Sequence, residues 1–145
     1  KTGQNTYRMS LSWPRILPDG VGAVNQLAID HYNRVIDKLL SCGITPFVDL
    51  YHWDLPICLF EQGGFLNPEF PAWFENYARV CFTAFGDRVK LWSTFNETAG
   101  LTPAAFRPSG RTSARHCWAA IMCCWRISAQ CGCTGRCSWA ERSAR

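Results

Sequence analysis

The chain has 145 residues, about the length of one domain, and its 48% hydrophobic and 14% aromatic content excludes an intrinsically disordered protein. No apolar run reaches the roughly 18 residues of a membrane span and no signal peptide opens the sequence, so we expect no membrane partner and a cytoplasmic location. The net charge changes from −2 over residues 1–97 to +6 over residues 98–145, which predicts two parts of different character.

The first part opens with a strand pattern followed by a helix pattern. Residues 6–13 alternate apolar and polar side chains, which predicts a strand. Residues 14–24, which contain the turn sequence Pro-Asp-Gly, are predicted to form a loop. Asn25 can cap a helix that runs to about Ser41, and Gly43 is suited to end that helix.

Two further strands and one helix follow. Residues 44–53 are predicted to form a strand that is apolar enough to be covered on both faces. An aromatic stripe at helical spacing predicts a helix over residues 68–85, whose stripe belongs to the core, and residues 88–97 are predicted to form a third strand. The order strand, helix, strand, helix, strand predicts a parallel sheet with crossover helices.

Two of the predicted strands end in side chains that are able to do chemistry. His52, Trp53 and Asp54 end the second strand, and Asn96 and Glu97 end the third strand. The carboxyl ends of parallel strands meet at one edge of the sheet, where catalytic groups of α/β folds gather. We therefore expect these five residues to be neighbours in a candidate active site.

Four stretches of the sequence resemble glycoside hydrolase family 1, the β-glucosidase family: YRMSLSWPRILPDG, GITPFVDLYHWDLP, GGFLNPEF and YARVCFTAFGDRVKLWSTFNE. The resemblance covers residues 6–97 and corresponds to about strands two to four of the family's barrel. It implies an α/β fold, a partial (β/α)8 TIM barrel of three βα units. It also implies a hydrolase that releases terminal β-D-glucosyl residues with retention, acts on β-glucosides or cello-oligosaccharides, and uses no cofactor and no metal.

The resemblance also implies roles for individual residues. Glu97 ends the W-x-T-x-N-E motif and matches the catalytic acid/base, while Asn96 matches the group that binds the sugar 2-hydroxyl. His52 matches a histidine that binds glycone hydroxyls, with Trp53 in the wall of that pocket. Arg8 matches a supporting arginine beneath the nucleophilic carboxylate. A retaining mechanism needs a carboxylic acid to protonate the glycosidic oxygen and a second carboxylate nearby.

Two features of the predicted strands depart from a simple pattern. Asp49 replaces the threonine or similar residue that the resemblance leads us to expect. If His52 faces the barrel interior, strict alternation places Asp49 on the helix side, where a charge is costly. Adjacent Asn96 and Glu97 can share one pocket only if the strand is distorted at its end.

Residues 98–145 are rich in arginine and cysteine and carry no lysine. A zinc site is one interpretation, but the cysteines contain no paired C-x2-C spacing. A nucleic-acid-binding tail is another, but no recognition motif accompanies the arginines. We favour translation of GC-rich DNA out of frame, because the composition changes abruptly after the motif. The predicted division is thus a partial barrel at 1–97 and a tail at 98–145, with no metal and no nucleic-acid partner.

No nucleophile is found, because the T-E-N-G motif that bears it in the family does not occur. The leading hypothesis is therefore a truncated β-glucosidase of impaired activity. One alternative is a non-catalytic carbohydrate-binding remnant that uses His52, Trp53 and Asn96. Another is a module that becomes active only after assembly with further chains. The unpaired sheet edges of a partial barrel also predict self-association.

Overall fold

The computed structural model describes residues 3–96, which form a three-stranded parallel sheet in the order β1-β2-β3. The strands are β1 (Thr6–Ser10), β2 (Thr45–Tyr51) and β3 (Leu91–Phe95). The helices are α1 (Trp13–Ile16), α2 (Gln26–Ser41), α3 (Ile57–Glu61) and α4 (Phe70–Phe85), with a 3-10 turn at Gly64–Leu66. The predicted order of strands and long helices and the parallel sheet are confirmed.

The first predicted strand is too long, and part of the predicted loop after it is helical. β1 ends at Ser10, and α1 begins at Trp13. Trp13 is fully buried and its indole Nε1 donates a hydrogen bond to the Gly20 carbonyl at 2.8 Å. Pro14 lies in the first turn of α1, where its fixed φ favours a helix start. Burial of the indole, which the alternating pattern does not report, therefore ends the strand early.

The helix α2 has the boundaries that its end signals predict. The Asn25 side chain accepts a hydrogen bond from the Leu27 N–H at 3.1 Å, which caps the first turn. At the other end, Gly43 adopts a φ of 70°, and the Ile44 N–H donates to the Leu39 carbonyl at 3.0 Å. This is the Schellman arrangement, in which a residue without a side chain takes the left-handed conformation.

The aromatic stripe of α4 lies in the core, as predicted, although Trp73 is only half-buried. The Trp13 ring stacks on the Tyr77 ring at 4.7 Å, and the Tyr77 hydroxyl donates to the Leu50 carbonyl at 2.8 Å. Burial raises the pKa of Tyr77 well above its ordinary value, so the hydroxyl remains a donor. The fully buried members of the stripe are Phe70, Phe74, Tyr77, Cys81 and Phe85.

The two faces of the sheet have different characters. Trp92 packs edge-on against Phe82 of α4, and its register partner Val48 is fully buried, so this face is covered by helices. The opposite face carries Arg8 on β1 and Asp49 on β2, two positions apart in the strand register. Among the described helices, none has both the length and the apolar composition that crossing a membrane requires.

Candidate active site

One guanidinium nitrogen connects all three strands on the face opposite the helices. Arg8 Nη2 lies 2.7 Å from Asp49 Oδ2 and donates a hydrogen bond to Asn96 Oδ1 at 2.8 Å. Arg8 belongs to β1 and Asp49 to β2, and Asn96 directly follows β3. The fold therefore brings together two residues that are 88 positions apart, Arg8 and Asn96. It adds Asp49, for which the sequence analysis predicted no role.

Asp49 does not face the helices, and that expectation was wrong. Its side chain is 2% exposed and lies against Arg8, with His52 Nδ1 at 3.7 Å from Oδ2. The alternation argument fails because β2 ends at Tyr51, so His52 lies in a bend outside the strand and does not follow the pleat. A distance of 3.7 Å is too long for a hydrogen bond but short enough for electrostatic attraction.

The Asn96 amide is oriented by its neighbour. A guanidinium only donates hydrogen bonds, so the amide oxygen must face Arg8 and the amide nitrogen must point elsewhere. The backbone N–H of Asn96 donates to the Tyr51 carbonyl at 2.9 Å, which extends the sheet pairing by one residue. Asn96 is therefore fixed through both its backbone and its side chain.

The structure places His52 and Trp53 in two different hollows. An open depression of about 440 Å³ includes Arg8, Asp49 and His52 in its lining. A second hollow of about 460 Å³, with a more apolar lining, includes Trp53, which is 48% exposed, together with Phe60. The structure thus brings Arg8, His52 and Asn96 together around Asp49 and sets Trp53 beside this group.

Asp54 lies outside this cluster and accepts hydrogen bonds from the backbone. Its Oδ2 accepts a hydrogen bond from the Trp13 N–H at 3.0 Å, and its Oδ1 accepts one from the His52 N–H at 3.4 Å. Desolvation raises the pKa of Asp54, and these backbone hydrogen bonds oppose the rise. Asp54 ties the turn that carries His52 and Trp53 to the start of α1.

Two of the predicted site features lie outside the described residues. Glu97, the predicted acid/base, and the tail at residues 98–145 both follow the last described position. Within residues 3–96, no group of three or more His, Cys, Asp or Glu side chains could hold a metal ion.

Asp49 is the residue whose role the sequence did not reveal. The available signal was a charge on an apolar strand, with an arginine two register positions away on its neighbour.

The comparisons with known proteins agree with this architecture. The model of glycosyl hydrolase family 1 matches residues 1–113. Beta-glucosidase A of Thermotoga maritima is 60% identical over 97 residues, which are 67% of this chain and 22% of that enzyme. Coniferin beta-glucosidase of Pinus contorta is 45% identical over 144 residues, which are 96% of this chain and 26% of that enzyme.

A solved structure gives the same result for the fold. The beta-glucosidase from Thermotoga maritima in complex with deoxynojirimycin matches 91% of this chain with a TM-score of 0.83 and 42% identity, and 33% of that chain is covered. The described sheet is therefore part of a (β/α)8 barrel, as the sequence predicted. The chain belongs to glycosyl hydrolase family 1. It spans about a quarter of the length of the curated relatives that it matches.

Proposed function

We propose that this chain carries part of the sugar-binding and catalytic site of a β-glucosidase, an enzyme that hydrolyses terminal β-D-glucosyl residues with retention. The observation that carries the proposal is the cluster in which Arg8 binds Asn96 beside His52, at the carboxyl ends of the strands. Relatives named as beta-glucosidases share 60% and 45% identity with the chain. The substrate class is a β-glucoside or a cello-oligosaccharide.

Glu97 is the proposed acid/base, supported by its place in the W-x-T-x-N-E motif directly after the anchored Asn96. It would protonate the glycosidic oxygen while the bond to the anomeric carbon breaks, and later activate the water that releases glucose. Asn96 and His52 would bind glycone hydroxyls, with Trp53 in the pocket wall. Arg8 would support the site through its charge.

The second carboxylate of a retaining mechanism lies about 5–5.5 Å from the acid. Asp49 does not supply it, because that side chain is buried against Arg8. We therefore propose that the 145-residue chain is impaired as a catalyst. This burial also favours a second candidate function, carbohydrate binding without catalysis through His52, Trp53 and Asn96.

Assembly with further chains is a third proposal. Within residues 3–96, β1 and β3 each pair with a single strand, and β1 is exposed along most of its length. Unpaired strand edges associate with other strands. Light scattering that shows only monomers at all concentrations would contradict assembly.

We also propose that residues 98–145 are translated out of frame. The abrupt gain of arginine and cysteine after Glu97 supports this proposal. The family match reaches residue 113, so the proposed boundary rests on composition and not on the end of the match. We expect one alternative frame after codon 97 to encode the proline that completes Asn-Glu-Pro, followed by barrel-like sequence. A coding sequence in which neither alternative frame does so would contradict the proposal. The cytoplasmic location stays a prediction.

Turnover of β-glucosides tests the catalytic proposal. For an alkyl β-glucoside, whose leaving group needs a proton, Glu97→Gln should lower turnover by about 10²- to 10⁴-fold. Glu141→Gln is the matched control, since it removes the one acidic residue of the tail, and it should leave turnover unchanged. Equal turnover of the two variants would remove Glu97 from the acid role. Absence of turnover in the unmodified chain would contradict catalysis by this chain on its own, and ligand binding would then test the binding candidate.

A further inference from the structure

A buried carboxylate on the barrel-interior face has no part in the proposed reaction. Asp49 is 1% exposed as a residue, and its Oδ1 is buried without a hydrogen-bond partner among residues 3–96. Burying a charge in this way is costly unless it is paired. Among the described residues, the nearest charged group is the Arg8 guanidinium at 2.7 Å from Oδ2.

We infer that Asp49 is a positioning residue that fixes the Arg8 guanidinium and, through it, the Asn96 amide. The inference adds a positioning residue to the proposed site, and its statements on sugar binding rest on the proposed function. Asp49 belongs to the lining of the open depression, but its side chain is 2% exposed and its Oδ2 is held by the Arg8 guanidinium, so we assign it no contact with the reacting atoms. Its effect on a ligand would pass through Arg8, Asn96 and His52.

The geometry explains why Arg8 needs such an anchor. The Arg8 side chain is long and 49% exposed, so in the absence of a partner it would sample many rotamers. The Phe47 ring lies 5.9 Å from the guanidinium carbon and limits the orientations from one side. The two hydrogens of Nη2 then serve two acceptors, Asp49 Oδ2 and Asn96 Oδ1. The bond to Asp49 Oδ2 therefore holds Nη2 where it can also donate to Asn96 Oδ1.

His52 is the second side chain that the carboxylate affects. With Nδ1 at 3.7 Å from its Oδ2, the Asp49 carboxylate favours a hydrogen on Nδ1 over one on the other nitrogen, and it favours the ring orientation that turns Nδ1 toward β2. The other ring nitrogen then points away from Asp49. One buried carboxylate thus biases the orientation of both proposed sugar-binding groups.

Nuclear magnetic resonance of the full 145-residue chain tests the positioning role. In the unmodified protein, the Arg8 Nη hydrogens should give separate signals because rotation is hindered. Asp49→Asn should merge these signals and shift the Asn96 side-chain amide signal. The matched control is Asp37→Asn, which removes a carboxylate that also lies 2.7 Å from an arginine, Arg88, but on the surface. That variant should leave the Arg8 and Asn96 signals unchanged.

The spectra give two ways to overturn the inference. Freely rotating Arg8 in the unmodified protein would contradict it even if Asp49→Asn failed to fold. In a folded Asp49→Asn variant, unchanged Arg8 and Asn96 signals would contradict it as well. The Arg88 signals, which should be the same in the unmodified chain and in Asp49→Asn, show that the variant is folded.

Binding of deoxynojirimycin, measured by calorimetry, separates this inference from the proposed function. We expect Asp49→Asn to weaken binding about tenfold, the effect of losing roughly one well-placed hydrogen bond, and Asp37→Asn to leave it within about twofold. Undiminished affinity in Asp49→Asn with a mobile Arg8 would overturn the functional part of the inference. If the unmodified chain does not bind the ligand, the proposed function fails, while the Arg8 spectra still decide whether Asp49 positions Arg8.

Discussion

Two arginines of this chain differ in what surrounds their partners. Arg88 lies near the carboxyl end of α4 and bonds to Asp37, Asp87, Asn33 and the Ala84 carbonyl. Its two carboxylate partners are 59% and 67% exposed. Arg8 has fewer bonds, but its carboxylate partner, Asp49, is 2% exposed.

The number of hydrogen bonds that an arginine makes does not indicate how much its ion pairs contribute to stability. Water can replace Arg88 at each exposed carboxylate, so its pairs contribute about 1 kcal/mol or less to the free energy of unfolding. Water cannot replace Arg8 beside a buried carboxylate, and loss of the arginine would leave a charge without compensation. The pair on the interior face is therefore the one that fixes geometry.

Replacement of each arginine by methionine tests whether the two ion pairs contribute differently to stability. We expect Arg8→Met to lower the free energy of unfolding by up to about 3 kcal/mol, the lower end for a buried pair, since Arg8 itself is half-exposed. Arg88→Met should cost about 1 kcal/mol despite its larger number of bonds. Urea unfolding followed by circular dichroism measures both values.

A double variant provides the control for this prediction. Adding Asp49→Asn to Arg8→Met removes the unpaired buried charge and should recover part of the lost stability. Adding Asp37→Asn to Arg88→Met should recover almost nothing, because the Asp37 carboxylate is already hydrated. Equal losses for the two single methionine variants would refute the proposed difference between the pairs.

A smaller effect is expected at Asp54, whose partners are backbone N–H groups and the Ser12 side chain instead of an arginine. Desolvation raises its pKa above 3.8 in the folded chain. The folded state therefore binds the proton more tightly than the unfolded state does, and this contribution to stability is present below 3.8 and lost as the pH rises through the folded pKa.

The unfolding free energy of the unmodified chain, relative to Asp54→Asn, should consequently fall as the pH is raised from below 3.8 to neutral. Asp30→Asn is a suitable control, because Asp30 is a helix-surface carboxylate whose close partner is the exposed Gln26 side chain. A difference for Asp54→Asn that rises over the same interval would show that the backbone hydrogen bonds outweigh desolvation.

Local signals explain which parts of the fold the sequence predicted. The cap at Asn25 and the left-handed Gly43 act within a few residues, so the ends of α2 could be placed correctly. The helix at Trp13 was missed because burial of its indole against Tyr77 is a long-range effect that local alternation does not encode.

The sequence predicted that His52 and Asn96 would lie at one edge of the sheet, but it did not predict the cluster around Asp49. His52 and Asn96 were found because parallel strands deliver their carboxyl ends to one edge. The orientation of Asp49 relative to His52 was not predicted, because β2 ends at Tyr51 and His52 lies outside the regular pleat. The bond between Arg8 and Asn96 spans 88 positions and required the strand register.

Deoxynojirimycin titration into the isotope-labelled 145-residue chain tests the central claim, that the cluster around Arg8 is a glucoside-binding site. The chain contains its own control, because His31 on α2 lies outside the cluster and stacks edge-on against Tyr32. We predict that the His52 ring signals and the Asn96 side-chain amide signals shift together with one saturation curve, while the His31 signals do not move. Unmoved His52 and Asn96 signals up to the solubility limit of the ligand would contradict the account.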